Sequence, residues 1–113
     1  MAIFPAGSSR QFEPDDGITI FDHGVADEQL SVVRAELHGL HVGLPNRRST
    51  TTYVVTGGRA QITVDGQAFD VEPGDMVVAQ VGVRRELSGT ASLLIINAPA
   101  YDPADEAETP PTP

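Results

Sequence analysis

Residues 60–66, Ala-Gln-Ile-Thr-Val-Asp-Gly, are the stretch of sequence that decides the fold of this chain. Apolar and polar residues alternate strictly from Ala60 to Val64, which is the pattern of a strand with one buried face. Asp65-Gly66 then supplies a two-residue turn of the kind that needs positive φ angles. We therefore predict a β-hairpin whose inward face is Ala60, Ile62 and Val64.

Short apolar runs separated by turn residues continue on both sides of this hairpin. Gly57-Gly58 marks a turn before it, and Pro73-Gly74-Asp75 breaks the chain after it. Strands at this spacing indicate an all-β sandwich or barrel. The eight predicted strands are Ile18 to Phe21, Leu30 to Leu37, Thr50 to Thr56, Ala60 to Val64, Ala68 to Val71, Met76 to Ala79, Arg85 to Ser88 and Ala91 to Asn97.

Length and composition suit one domain. The chain has 113 residues, of which 40% are apolar but only four are Phe and two Tyr, so the core must rest on aliphatic side chains that favour strands. There is no cysteine, which excludes disulfides and thiolate metal sites. We predict an N-terminal arm over residues 1–17, one barrel domain over 18–99, and a disordered acidic, Pro-rich tail over 100–113.

The charge of the chain limits its partners. The formal net charge is -9, and all seven cations are Arg. Such an acidic surface repels phosphate backbones, so nucleic acid is not an expected partner. No window approaches the roughly 18 apolar residues that a membrane span needs, and no secretory signal is visible. The expectation is a cytoplasmic protein whose partner is a small molecule.

Four turn signals in order carry a family resemblance. Residues 52–57 end in Gly, residues 60–66 close on Asp-Gly, residues 71–75 end in Pro-Gly-Asp, and residues 80–82 read Gln-Val-Gly. Over about residues 30 to 99 this resembles the cupin family, whose second motif has Pro where this chain has Gln80. The resemblance implies a double-stranded β-helix, or jelly-roll barrel, and commonly a homodimer.

The resemblance also locates a metal site that this chain does not keep. Cupins usually bind a divalent metal through three His and one Glu, and the corresponding positions here are Leu44, Asn46, Thr50 and Arg85. None of these is a suitable ligand, and Arg85 brings a fixed positive charge to the place of the cation. We therefore expect no metal and no cofactor. A displaced metal site built from His38 and His41 stays open as an alternative.

Without a metal, the cavity would have the character of an anion site. Strand alternation in the register of the family turns Asn46, Arg48, Thr50 and Thr52 inward, and Arg85 faces them from the opposing strand. A buried Arg needs a counter-ion or hydrogen-bond acceptors. These five residues are the predicted substrate-binding set. A purely structural role for the arginines is the competing interpretation.

Proton transfer needs an acid or a base, and the histidines and tyrosines supply the candidates. His41 and His38 lie near the expected opening and are the predicted bases, while Tyr101 follows the last strand and could cover the barrel mouth. Tyr53 falls on the outward face by the same alternation, where it could join Thr51 and Val55 in a dimer contact.

Three functions are compatible with these residues. The first is a metal-independent enzyme of isomerase, epimerase, cyclase or lyase type, acting on a small polar or anionic organic molecule in the barrel. The second is a non-catalytic ligand-binding or accessory module. The third is a metal-dependent cupin with displaced His ligands.

Overall fold

A computed structural model describes residues 2–106 of the chain, and almost all of its regular structure is β-strand. Two short 3-10 turns, Ala6–Ser8 and Pro103–Asp105, are the remaining elements of the described range. The strands are β1 (Arg10–Asp15), β2 (Ile18–Ala26), β3 (Ser31–Gly43), β4 (Thr50–Val64), β5 (Gln67–Val71), β6 (Met76–Ala79) and β7 (Arg85–Ala98). The predicted all-β class is confirmed.

The strands form one antiparallel sheet of order β1-β2-β3-β7-β4-β5, with β6 paired to β4. The N-terminal part of β4 lies between β6 and the C-terminal half of β7, whereas its C-terminal part lies between β5 and the N-terminal half of β7. The long strands therefore belong to both walls of the molecule, and the arrangement is the predicted jelly-roll barrel.

The prediction of a turn at Gly57-Gly58 was wrong, because β4 runs through it without interruption. Val55 pairs with Leu93 and Gly57 with Ser92, so Thr56 is an extra residue in the ladder. This is a β-bulge, and it bends the strand while keeping it paired. The predicted break between Ser88 and Ala91 is likewise a continuous part of β7.

The hairpin expected over residues 60–66 is present as predicted. Ala60 and Ile62 are buried, Val64 is half-buried, and Asp65-Gly66 has the two positive φ angles of its turn. Burial of aliphatic side chains supplies the driving force for closing the barrel. The largest fully buried apolar side chains come from four strands: Ile18, Leu37, Val55, Ile62, Leu87 and Leu93.

Both ends of the described chain are attached to the barrel. The N-terminal arm contributes β1, which pairs with β2 at the edge of the sheet. The expectation of disorder from residue 100 was wrong for residues 100–106, since Tyr101 N donates to Ser31 Oγ at 2.8 Å and Arg47 N donates to the Asp105 carbonyl at 2.8 Å. The rest of the predicted tail, 107–113, lies outside the described residues. Between residues 2 and 106 no helix is long and apolar enough to cross a membrane.

Candidate functional site

A hydrogen-bonded row of polar side chains crosses the interior of the barrel. Arg85 Nη1 donates to Thr51 Oγ1 at 3.1 Å, and Thr51 Oγ1 donates to Asn97 Oδ1 at 2.6 Å. All three residues are buried. The row fixes the guanidinium from one side, because the Thr51 hydroxyl that accepts from Arg85 is itself oriented by Asn97.

This row also shows how tightly the strands curl. Asn97 is the ladder partner of Thr51, whereas Arg85 stands at the other end of β7. In a straight strand, twelve residues span roughly 40 Å, far beyond the reach of an arginine side chain. Because Arg85 still reaches Thr51, the two ends of β7 must lie on facing walls with the guanidinium between them.

The charge of Arg85 has no counter-ion among the described residues. The side chain is only 4% exposed, and its Nε is buried without a hydrogen-bond partner. The ion pairs found within residues 2–106 involve Arg10, His41 and Arg59, not Arg85. An unpaired buried cation is costly, so this guanidinium is a strong site for an anionic group.

Tyr53 lies in the same interior, contrary to the expectation that it faces outward. It is 4% exposed, and burial raises the pKa of its hydroxyl to about 12, with the charge of Arg85 lowering that pKa and the charge of Glu106 raising it. The Tyr53 hydroxyl therefore stays protonated at neutral pH. Its sensitivity to both charges indicates that it lies within electrostatic reach of Arg85 and of Glu106.

His41 lies at the inner rim of the barrel, two residues before Gly43 on β3, and Gly43 is the ladder partner of Arg85. His41 pairs with the buried Leu87, and paired residues share a face of the sheet. His41 Nδ1 lies 2.7 Å from Asp15 Oδ2, and the side chain is 17% exposed. The carboxylate fixes the ring and leaves Nε2 as the nitrogen available for proton transfer.

The turn between β1 and β2 brings Asp15 to His41. A Cβ on Gly17 would lie 1.9 Å from the Leu40 carbonyl oxygen, so only glycine allows this turn to approach β3 so closely. Gly17 N donates to Asp15 Oδ1 at 2.9 Å, and His38 N donates to the Gly17 carbonyl at 2.8 Å. Backbone contacts on both sides thus hold the carboxylate in place.

The structure does not bring His38 and His41 together, as the alternative of a displaced metal site expected. The two residues stand three apart on β3 and therefore point to opposite faces. His38 is exposed, with Nε2 3.0 Å from Thr19 Oγ1, while His41 binds Asp15 at the rim. No group of three potential ligands from His, Cys, Asp and Glu comes together within the described part of the chain.

The metal position of the family does not fit a divalent cation either. Asn46 Oδ1 already accepts from the amides of Arg48 and Ser49 at 2.9 and 2.6 Å, so it caps its own loop. Leu44 offers no donor atom, and the guanidinium of Arg85 repels a cation. The donor set present here is suited to an anion and not to a divalent cation.

The predicted inward set Arg48, Thr50 and Thr52 was wrong in orientation. Arg48 is exposed, and Thr50 and Thr52 are only half-buried, while their neighbours Thr51 and Tyr53 line the interior. For the same reason Thr51, Tyr53 and Val55 do not form the outer face that was expected to contact a second subunit. Asn46 and Arg85 are buried as expected.

The segment after β7 brings Tyr101 and Glu106 to the same end of the barrel. Glu106 forms an isolated bridge with Asn46, and Ser49 Oγ donates to the Pro99 carbonyl at 2.7 Å. Tyr101 is 44% exposed, and burial, followed by the charge of Glu106, raises its pKa to about 12. Tyr101 is therefore a protonated hydroxyl beside a carboxylate, and its predicted role at the barrel mouth stays a prediction.

Five residues of this arrangement were not among the predicted site residues: Asp15, Thr51, Tyr53, Asn97 and Glu106. Asn97 could have been identified from the sequence, because it is a polar residue that continues the inward alternation of Ala91, Leu93 and Ile95. Asp15 and Glu106 could not, because each reaches the site only through tertiary contacts.

The Asp15 carboxyl provides a prediction about acid stability. Burial alone would raise its pKa, but hydrogen bonds from Gly17 and His41 and the charge of His41 hold that pKa below its ordinary value. A carboxyl with a lowered pKa stabilises the fold above its unfolded pKa, and this contribution is lost as the pH falls through its folded pKa. In urea unfolding, the stability gap between the wild type and Asp15→Asn is expected to shrink from about pH 7 to about pH 2.

The exposed neighbour Asp16 supplies the control for this measurement, since Asp16→Asn removes the same charge without touching His41. A gap between wild type and Asp15→Asn that stays constant over the whole pH range would contradict the assignment.

Two grooves on the outer surface are separate from this site. One of about 550 Å³ is lined by residues of β4, β5 and β7 including Arg59 and Glu72, and one of about 570 Å³ is lined by residues including Phe69 and Met76. Neither groove is lined by His41, Arg85 or Tyr53.

No protein-family model and no curated protein matches the chain. Solved structures do resemble it. Streptomyces PAC13, in a His-to-Gln variant with uridine, has a TM-score of 0.88 and 23% identity over 95% of this chain and 89% of that one. A structure of PAC13 described as a nucleoside dehydratase has a TM-score of 0.87 and 24% identity over the same shares. KdgF from a Halomonas species has a TM-score of 0.78 and 17% identity over 89% of this chain and 97% of that one.

An RmlC-like cupin from Shewanella frigidimarina also shares the architecture, with a TM-score of 0.74 and 16% identity over 86% of this chain and 89% of that one. At these identities the likeness is one of fold. Together with the turn motifs of the sequence, it identifies the chain as a cupin-type β-barrel protein.

Proposed function

We propose that this chain is a metal-independent enzyme that moves a proton on a small polar molecule held at the barrel mouth. The observation that carries the proposal is the His41–Asp15 pair, with 2.7 Å between Nδ1 and Oδ2, on the same inner wall as the buried Arg85. A base oriented by a carboxylate beside a fixed cation is the arrangement that enolate-forming reactions need. The likeness to PAC13, described as a nucleoside dehydratase, supports this interpretation.

The reaction class that fits best is elimination of water from a β-hydroxy carbonyl compound. His41 Nε2 takes a proton from the carbon beside the carbonyl, and Asp15 stabilises the imidazolium that forms. The hydroxyl on the next carbon then leaves with a proton, which the imidazolium returns. One water is released, a carbon–carbon double bond forms, and the enzyme recovers its starting protonation state.

The tyrosines support this step as neutral hydrogen-bond donors. Tyr53 and Tyr101 both have a pKa of about 12, so neither acts as a base near neutral pH. A protonated phenol can donate to the oxygen on which negative charge develops. Of the two, Tyr53 is the buried one and belongs to the wall that carries Thr51.

The test is proton exchange and turnover in D₂O, followed by proton NMR, with a panel of β-hydroxy aldehydes, ketones and acids that includes nucleosides. We expect loss of the signal of the carbon-bound hydrogen beside the carbonyl, and a vinyl signal where water is eliminated. Both should be unchanged by a chelator that strips divalent metals. Deuterium exchange detects proton removal even where net turnover is slow.

Two other results would favour the two alternative functions, a ligand-binding module and a metal-dependent enzyme. Binding without exchange or product for any member of the panel would indicate a ligand-binding module. Activity that disappears with the chelator and returns with a divalent metal would contradict the metal-independent mechanism.

A further inference from the structure

The buried guanidinium of Arg85 points to the chemical class of the ligand. We propose that the substrate carries a carboxylate, and that Arg85 is the residue that binds this group and selects for it. The proposal rests on the proposed function, since it concerns the same inner wall of the barrel, but it makes a separate statement about specificity.

Arg85 leaves most of its hydrogen-bond donors unused. A guanidinium has five N–H groups in a planar fork, and the one contact to Thr51 uses one on Nη1. The buried Nε has no partner in residues 2–106. Nε and Nη2 form one edge of the fork, and that edge matches the two oxygens of a carboxylate.

The fold also makes room for this side chain at a specific place. A Cβ on Gly43, the ladder partner of Arg85, would lie 2.7 Å from Arg85 Cγ and 3.0 Å from Cδ. The aliphatic part of Arg85 therefore passes directly over the Gly43 backbone. Thr51 then holds the far end of the guanidinium, so the side chain is fixed at both ends before any ligand binds.

The charges around the site favour a monoanion. Arg85 supplies one positive charge. The Tyr53 hydroxyl near it stays protonated and adds no charge, and Glu106 supplies one negative charge near Tyr53. A carboxylate balances the charge of Arg85. A phosphate dianion would add a second negative charge that faces Glu106 without compensation.

The experiment is calorimetric titration with three probes that differ at one group: uridine, uridine 5′-carboxylate and uridine 5′-monophosphate. The wild type is expected to bind the carboxylate on the order of tenfold to a hundredfold more tightly than uridine. The monophosphate should bind more weakly than the carboxylate. The titrations are carried out at physiological salt, which screens exposed charges and so limits their contribution to the measured affinities.

Two variants of the neighbouring arginines separate the site from the overall charge. Arg85→Met is expected to bind the carboxylate and uridine equally, whereas Arg84→Met, which removes the same charge from an exposed position, should keep the wild-type preference. Arg85→Lys keeps the charge without the fork and should retain part of the preference. It also serves as the test if Arg85→Met does not fold, which circular dichroism establishes.

The outcomes distinguish this inference from the function on which it rests. If the wild type shows no preference for the carboxylate, or prefers the monophosphate, or if Arg84→Met and Arg85→Met change the preference equally, the carboxylate assignment is overturned. The D₂O exchange experiment judges proton transfer independently, because it can succeed on neutral members of the panel.

Discussion

Replacement of His41 by Gln is expected to lower turnover on the order of 10²–10⁴-fold, the usual contribution of a positioned general base. Gln keeps a polar side chain that can still donate to Asp15, but it cannot accept a proton at neutral pH. The loss should appear in kcat, and substrate binding should change little, because His41 acts on the reacting proton. The measurement is the initial rate of product formation at saturating substrate.

His38 provides a matched control on the same strand. It lies three residues from His41 on the opposite face, where it is exposed and contacts Thr19. His38→Gln should leave kcat close to the wild-type value, since its side chain lies on the opposite face of the sheet from His41. Equal losses in the two variants, or a His41→Gln enzyme with wild-type kcat, would rule out His41 as the base.

Part of the fold and two residues of the candidate site were inferred from the sequence alone. His41 was chosen because it lies beside the predicted opening, and Arg85 because it stands at the position of a metal ligand in the family motif. The all-β class followed from turn residues, whose φ requirements are local, whereas the jelly-roll barrel was what the family resemblance of the turn motifs implied. Local rules therefore predicted the strands and the class, and the family motif predicted the barrel; the roles of His41 and Arg85 stay predictions.

The orientation error on β4 has one physical cause. Inward residues are odd-numbered before the bulge, as at Thr51, Tyr53 and Val55, and even-numbered after it, as at Ala60 and Ile62. The extra residue Thr56 reverses the alternation. A family register that is counted without the bulge therefore turns the whole first half of the strand inside out.

Asp15 and Glu106 could not be predicted, because their roles depend on distant contacts. Asp15 is 26 residues from His41 in sequence, and the turn at Gly17 brings them together. Glu106 stands in an acidic, Pro-rich segment whose composition indicates disorder. Backbone hydrogen bonds to Ser31 and Arg47 order that segment against the barrel, which composition does not encode.

Beside the bulge in β4 lies a position where a substitution has a large expected effect on stability. Gly58 has φ of +72°, and a Cβ there would lie 2.2 Å from the Thr90 carbonyl oxygen and 2.8 Å from Ala91 Cα, both backbone atoms of β7. Gly58→Ala must therefore adopt a left-handed conformation and also displace the adjacent strand. We expect the free energy of unfolding to fall by about 2–5 kcal/mol.

Gly66 is the matched control, because it has φ of +79° in the hairpin turn but no atom within 4 Å of the position that a Cβ would take. Gly66→Ala therefore adds backbone strain without a clash, at an expected cost of about 1–2 kcal/mol. Equilibrium unfolding in urea measures both variants, and the excess loss in Gly58→Ala reports the contact between β4 and β7. Equal losses in the two variants would mean that β7 yields easily beside the bulge, and would contradict a rigid contact between β4 and β7 at Gly58.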